Sequence, residues 1–506
     1  MKCALIIPSW LPEELFPAKT AGSQINYWQP LGTLYVAASL KQAGHRVQFY
    51  NGAFMQHRDI LQQIREFCPE FVGLYSTTFG WDKAVRTAQD IKAIDPTIFI
   101  CVGGPFPIAV QKQCLLNVGP SEGLSEGPNE GTRDGQCFDA VVTGEGEITV
   151  TEMVNKLAAG NSLRGVQGVI FRQGSKLVEN AARPLNEHLD TLPMPARELL
   201  GDASRYLPPP ASYKRQPVAV MITSRGCNRR CIFCSQTDKN RQSGVRGIRF
   251  RSVENVLEEI NLCLKQGYKE IKFIDDTLAA DYDRLMTLCR EITLRKMDFS
   301  WFASACVNQV DKPLLRAMKQ AGCWAILMGA ESGVQKNLNT LRKGITLNQI
   351  RKAVKAAKEV GLQVSTPFLF GIPGETFEDG LKTIEFAIEL DADLANFHAL
   401  TAFPGTYLYD NLQKYGRVSS HFADYTYQGA AFEPYSMSRN QIHELRQLAL
   451  RRFYSRPVFL LRRLQHLRSW GDCKVAMQGV KSLFWLWSKK NLFDRAGEHK
   501  ASATEV

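Results

Sequence analysis

The hydrophobic positions of this chain fall into two repeating patterns. From residue 1 to about 165, short apolar runs alternate with longer stretches in which apolar residues recur every three or four positions. The runs are CALII (3–7), VQFY (47–50), FVGLY (71–75), IFICV (98–102) and AVV (140–142); LGTLYVAASLKQAG and WDKAVRTAQDIKAI are typical of the longer stretches. Short uninterrupted runs suit strands buried on both faces, and three-to-four spacing suits one-sided helices, so residues 1–165 predict a doubly wound, Rossmann-like α/β domain. Sheets of this kind bind ligands beyond the carboxyl ends of their strands. At those ends stand Ser76, Thr77, Gly103, Gly104, Gly144 and Glu145.

Residues 166–212 read as a hairpin, VIFRQGSKLVEN, followed by a linker, HLDTLPMPAREL, whose prolines mark a boundary. Residues 117–136 are rich in Gly, Ser, Glu and Pro and read as a surface insertion. From 213 to 435 the alternation resumes with strands AVMIT, IKFID, FSWFAS, WAILM, VSTPFLF and ANFHAL, separated by helical stretches. Six β/α units in series predict a partial parallel barrel, with its active site at the carboxyl ends of the strands. Residues 436–506 predict a helical extension.

Composition narrows the function classes. With 44% hydrophobic and 22% charged residues over 506 positions, the chain matches an ordinary folded protein, which sets aside disordered and collagen-like classes. No apolar run reaches the ~18 residues of a spanning helix, and the apolar start is too short for a signal peptide, so a cytoplasmic protein is expected. The net charge of +12 is concentrated: residues 451–490 hold ten Lys and Arg against the single acid Asp472. That argues against nucleic acid as a partner. It predicts basic amphipathic helices that either cap the barrel or touch a membrane surface or an anionic amphipathic ligand.

Thirteen cysteines in a reducing compartment point to metal ligands or catalytic thiols rather than disulfides. Cys3, Cys101, Cys263, Cys289 and Cys323 lie in apolar surroundings and are expected to pack as small hydrophobes. Cys227, Cys231 and Cys234 are different. They follow the first barrel strand with C-x3-C-x2-C spacing, and three thiolates on one loop select zinc, copper(I) or an iron-sulfur cluster. A structural zinc site has four closed ligands, and no nearby Cys or His supplies the fourth; Cys263 falls in a predicted helix. A cubane held by three cysteines keeps one iron open to a small ligand.

With Phe233 before the third cysteine, this loop resembles that of the radical SAM superfamily. Further matches follow in register: IleAspAsp at 274–276, GlyAlaGluSerGly at 329–333, GlyIleProGlyGlu at 371–375 and AlaPheProGlyThr at 402–406. The resemblance implies that Cys227, Cys231 and Cys234 hold a 4Fe-4S cluster, whose open iron binds S-adenosylmethionine and whose electron releases a 5′-deoxyadenosyl radical. It further implies S-adenosylmethionine contacts from Phe233, Asp276, Glu331, Ser332 and Gly371. For Glu331 the alternative is a buried acid paired with a barrel Arg or Lys.

The Rossmann-like domain and the LDTLPMPAR linker resemble the cobalamin-binding branch of that superfamily, through PLGTLYVAASLKQAGHRV, VGGPFPIA and DAVVTGEGE. The resemblance implies a corrin lying against Ser76, Thr77, Gly103, Gly104, Gly144 and Glu145. No DxHxxG motif follows the first strand, and Phe106 stands where many relatives have His, so no histidine ligand to cobalt is indicated. A phosphate loop for a nucleotide is the rival, but neither G-x-G-x-x-G nor a P-loop follows a strand.

RRFYSRP resembles the tail of relatives acting on chlorophyll- and bacteriochlorophyll-type tetrapyrroles and on hopanoids. The expected activity is therefore radical functionalisation of an unactivated carbon on a large hydrophobic, acid-bearing substrate, with ferredoxin or flavodoxin as electron donor. Cobalamin-dependent C-methylation leads. Ring-methyl hydroxylation, oxidative cyclisation and lipid modification are alternatives, as is a non-catalytic cluster protein.

Overall fold

A computed structural model describes residues 1–10, 27–116, 137–208, 212–235, 247–426 and 429–465. The expected insertion at 117–136 and most of the basic extension lie outside the described residues.

The N-terminal sheet contains β1 (Lys2–Ile7), β2 (Arg46–Asn51), β3 (Phe71–Tyr75), β4 (Phe99–Gly103), β5 (Ala140–Val142), β6 (Val169–Gln173) and β7 (Lys176–Glu179). Their order is 2-1-3-4-5-6-7, with the first five parallel. Alternate residues of β1 serve opposite cores: Ala4 and Ile6 pack with one helix layer, Cys3 and Leu5 with the other. Burial on both faces explains the uninterrupted apolar runs. The hairpin assigned to the linker is instead part of this sheet, since β6 pairs antiparallel with β5 and β7 with β6. Edge pairing satisfies β5 in a way a local pattern does not reveal.

The second sheet holds β8 (Val218–Met221), β11 (Glu270–Phe273), β12 (Ser300–Ala305), β13 (Cys323–Met328), β14 (Gln363–Phe370) and β15 (Leu394–Ala399), with the short antiparallel pair β9 (Ser224–Arg225) and β10 (Arg249–Phe250) between the first two. The six strands are parallel in the order 8-11-12-13-14-15, the expected partial barrel. Its edge at β8 is covered by one side chain from the N-terminal region. The Val220 N–H donates to Gln29 Oε1 at 3.1 Å, and Gln29 Nε2 donates to the Val218 carbonyl at 3.3 Å, so the amide stands in for a neighbouring strand.

The linker is a docking element. Arg197 donates to the Val220 carbonyl at 2.6 Å and pairs with Glu259 at 2.5 Å, while Arg251 holds the other Glu259 oxygen. All three side chains are almost fully buried. Asp190 accepts from the Ser252 N–H at 2.9 Å, at the start of the helix that presents Glu259.

The helix Arg439–Tyr454 completes the barrel's outer layer, so this part of the basic extension is structural. Ile442, Leu445, Ala449 and Phe453 enter the barrel core, and the Tyr454 hydroxyl donates to the Ala395 carbonyl at 2.7 Å. Arg452 is exposed and lies 4.0 Å from Glu385. Beyond it, Val458 and Leu461 are more than half exposed. Among the described residues, no helix is long and apolar enough to cross a membrane.

Candidate active site

The cysteine loop is held at its base, its tip and its flanks. At the base, the Thr223 N–H and hydroxyl donate to Asp275 Oδ1 at 2.9 and 2.8 Å, and the Ser224 hydroxyl donates to the same oxygen at 2.5 Å. Asp275 is buried at the end of β11, and burial pushes its carboxyl pKa up against these bonds. At the tip, the Ile232 N–H donates to the Leu341 carbonyl at 3.1 Å, and its own carbonyl accepts from Leu408 at 2.8 Å. Its side chain fills a cluster with Leu341, Ile372, Leu400, Leu408 and Phe432, against which Phe233 is partly buried. The flanking strands tie the loop to the N-terminal domain. Arg225 pairs with Glu145 at 3.1 Å and Glu147 at 2.5 Å, and Arg249 pairs with Glu145 at 2.7 Å.

Cys231 is buried, and Cys227 and Cys234 are half-buried. Among the described residues no three ligands converge on a single metal ion. The three thiols nevertheless lie within electrostatic range of one another. Three soft donors spread over one loop suit a multi-iron cluster better than a mononuclear ion. Burial pushes the Cys231 thiol up to about 12 and raises Cys227 as well, so binding iron must displace their protons.

Glu331 stands above this loop with φ at 64°, its backbone bridging Pro367 and Leu369 of β14. Its carboxylate pairs with Lys343 at 2.6 Å. A Cβ at position 329 would lie 2.5 Å from that carboxylate and 2.7 Å from Lys343 Nζ, so any side chain there would displace the pair. Burial lowers the Lys343 pKa, but Glu331 and Cys231 more than reverse this, and the amine stays above its usual range. The structure thus has the paired geometry given above as the alternative for Glu331, with the pair beside Cys231.

Other expected residues separate into two groups. Asp276 is exposed and electrostatically coupled to Cys227, in keeping with a place at the site. The side chain of Ser332, in contrast, is not free for S-adenosylmethionine. It is wholly buried, lies 3.1 Å from the Thr383 hydroxyl and accepts from Asn337 and the Val334 N–H. Gly371 is also structural: its N–H donates to Glu375 at 2.7 Å, and a Cβ would meet Ile442 at 2.7 Å. Both belong to a buried network around Glu375 and Asn337 that shapes the loops after β13 and β14.

At the N-terminal strand ends, Gly104 has φ at 111° and approaches Ser76 so closely that a Cβ would lie 2.6 Å from its carbonyl. A Cβ at Gly144 would meet nothing within 4 Å, and at Gly103 only Val142 at 3.9 Å. Ser76 and Thr77 form a local turn, with the Ser76 hydroxyl donating to the Thr77 carbonyl at 3.0 Å and Thr77 Oγ1 accepting from Gly80 at 3.2 Å. This small-residue cradle fits a large planar ligand approaching backbone. Glu145 does not contribute a free carboxylate, because both its oxygens serve Arg225 and Arg249. Phe106 is buried between Trp81 and Phe422, at centroid distances of 5.0 and 5.1 Å.

A parallel sheet with strand order 2-1-3-4-5, joined to a six-stranded barrel with three thiols on its first loop, places two candidate cofactor-binding regions in one chain. Family comparison agrees. The radical SAM superfamily matches residues 221–387 and the B12 binding domain matches residues 22–132. The chain is 33% identical over 468 residues to an uncharacterized methyltransferase of Pyrococcus horikoshii, covering 91% of this chain and 94% of that one. It is 25% identical to the anaerobic magnesium-protoporphyrin IX monomethyl ester cyclase of Rubrivivax gelatinosus, over 86% of this chain and 75% of the cyclase. Among solved structures, the radical S-adenosylmethionine methyltransferase TsrM from Kitasatospora setae shares the fold, with TM-score 0.61 and 19% identity over 80% of this chain and 74% of that one. The chain belongs to the radical SAM superfamily, in the branch that carries an N-terminal B12-binding domain. Its cofactors are a 4Fe-4S cluster, S-adenosylmethionine and cobalamin.

Sequence reasoning missed Ile232, Lys343 and Asp275 as organisers of the site. Asp275 alone left a signal, as the middle residue of IleAspAsp.

Proposed function

We propose that this chain methylates an unactivated carbon of a large, hydrophobic, acid-bearing substrate of the tetrapyrrole type. The observation that carries the reading is the set of ion pairs from Arg225 and Arg249 to Glu145 and Glu147. They couple the cysteine loop directly to the loop after β5, so that one substrate can be served from both domains. When bound, the cluster supplies the electron that cleaves S-adenosylmethionine and cobalamin supplies a carrier for the methyl group.

The protein's own residues do the positioning. Cys227, Cys231 and Cys234 hold the cluster. Lys343 holds Glu331 beside Cys231, where the pair orients the amino and carboxylate groups of S-adenosylmethionine, and backbone near Phe233 meets the adenine. Gly103, Gly104 and Gly144 let a corrin reach the backbone. The electron donor is a ferredoxin or flavodoxin.

Support for the substrate class comes from the likeness to the Rubrivivax gelatinosus cyclase. The same likeness keeps oxidative cyclisation or hydroxylation as the second reading. The test is anaerobic turnover of reconstituted enzyme with reduced flavodoxin, hydroxocobalamin, methyl-labelled S-adenosylmethionine and magnesium-protoporphyrin monomethyl ester. Label incorporation supports methylation. An unlabelled oxidised or cyclised product supports the second reading, and no product from this panel overturns the tetrapyrrole assignment.

A further inference from the structure

The inner column of β11 carries a charge that the site described above leaves unused. Ile271 and Phe273 join the core between sheet and helices, so Glu270, Lys272 and Ile274 point into the barrel. Glu270 closes the floor: it accepts from the backbone N–H groups of Lys214 and Arg215 at 2.8 and 2.7 Å, from Ser300 at 2.6 Å and from the Trp324 indole at 2.9 Å. Ile274, at the other end of the column, is 42% exposed. Lys272 lies between them.

Its ammonium sits 4.1 Å from the ring centre of Trp28 and 4.2 Å from that of Phe302. It makes no hydrogen bond or ion pair with any described residue. Two aromatic faces offset part of the lost hydration but offer no acceptor for three N–H donors. Burial lowers the amine to about 8, with Glu270 opposing, so most of the population is cationic at neutral pH. The surroundings are apolar: Trp324 lies 6.2 Å from Phe302, and Trp28 clusters with Val220 and Ile222 on the β8 side. A cation with free donors among aromatic walls matches an anion carried on a hydrophobic body, and a carboxylate supplies the missing acceptors.

We infer that Lys272 is an anion-binding residue on the inner face of the barrel, taking a carboxylate of the hydrophobic substrate and thereby setting how deeply the substrate enters. The inference rests on the proposed function for the barrel interior's role as substrate site. The competing role is a clip that holds Trp28, and with it the N-terminal region, against the barrel.

The experiment uses the cluster-loaded full chain with lysines marked by ¹³C-dimethylation, the Lys272 resonance being assigned by its loss in Lys272→Arg. Decanoate and protoporphyrin IX are titrated, each beside its methyl ester. Both acids should shift the Lys272 resonance and bind about tenfold or more tighter than their esters. Lys272→Met should erase that preference without loss of iron, and Lys272→Arg should retain most of it. If neither acid moves the resonance, or Lys272→Met keeps the preference for acids, the inference is overturned and the clip remains. If decanoate acts on Lys272 while protoporphyrin does not, the anion subsite stands and the tetrapyrrole reading falls. Should Lys272→Met fail to fold, the wild-type titration still decides.

Discussion

The loops that follow the barrel strands and those that follow the strands of the N-terminal sheet are built by opposite means. The cysteine loop is over-determined: Asp275 pins its base, Ile232 locks its tip and two arginines brace its flanks. The loops after β4 and β5 are defined by side chains that are missing, at Gly103, Gly104 and Gly144. A cluster needs ligands held to a fraction of an ångström, which takes many contacts. A broad planar cofactor needs clearance along the backbone, which glycine supplies.

Four sets of substitutions test that contrast, starting with the most damaging. Changing Cys227, Cys231 or Cys234 to Ala removes one of three ligands, and 5′-deoxyadenosine formation should become undetectable under reducing conditions. Reductive cleavage persisting in the triple variant would refute the cluster assignment. Next is Glu259→Ala, which strands Arg197 and Arg251 as buried, unpaired cations. Breaking a buried pair costs about 3–5 kcal/mol, so thermal unfolding should move down by many degrees. An unchanged melting temperature would show that the linker does not hold the domains together.

Gly104→Ala should cost about 1–3 kcal/mol, since the position has positive φ and no room for a methyl group, whereas Gly144→Ala should change stability by less than about 0.5 kcal/mol. The informative quantity is cobalamin retained after gel filtration. Gly144→Ala should lower it while leaving the fold intact, and equal retention by wild type and variant would remove that loop from the corrin cradle. The smallest effect is expected from Arg452→Glu. Its nearest acid, Glu385, is 4.0 Å away and both side chains are exposed, so the pair contributes about 0–1 kcal/mol. Cluster content and S-adenosylmethionine cleavage should be unchanged; loss of either would make this turn of the helix more than a solvated surface.

The partners that the expected site residues already have are instructive. Ser332 and Gly371 lie in motifs that resemble S-adenosylmethionine contacts, yet their polar groups are used by Thr383, Asn337 and Glu375. Glu145 looks like a cofactor ligand until Arg225 and Arg249 occupy it. In each case the residue type was legible but its partner was not.

Features that depend on near neighbours were legible in the order of residues alone. Strand and helix periods, the spacing of Cys227, Cys231 and Cys234, and the small residues at strand ends are properties of a few consecutive positions. They were enough for the fold class, the cluster and the branch of the superfamily. Which side chains are spent and which are left over depends on residues that meet only after folding. Gln29 serves as a strand edge for Val220, 191 positions away, and Arg197 finds Glu259 across 62. Among the described residues Lys272 has no ion-pair partner, because Glu270, two residues before it, is already satisfied by four groups from three other places in the chain. A polar group's role is set by the partners that replace its water on burial, and those partners come together only when the chain has folded.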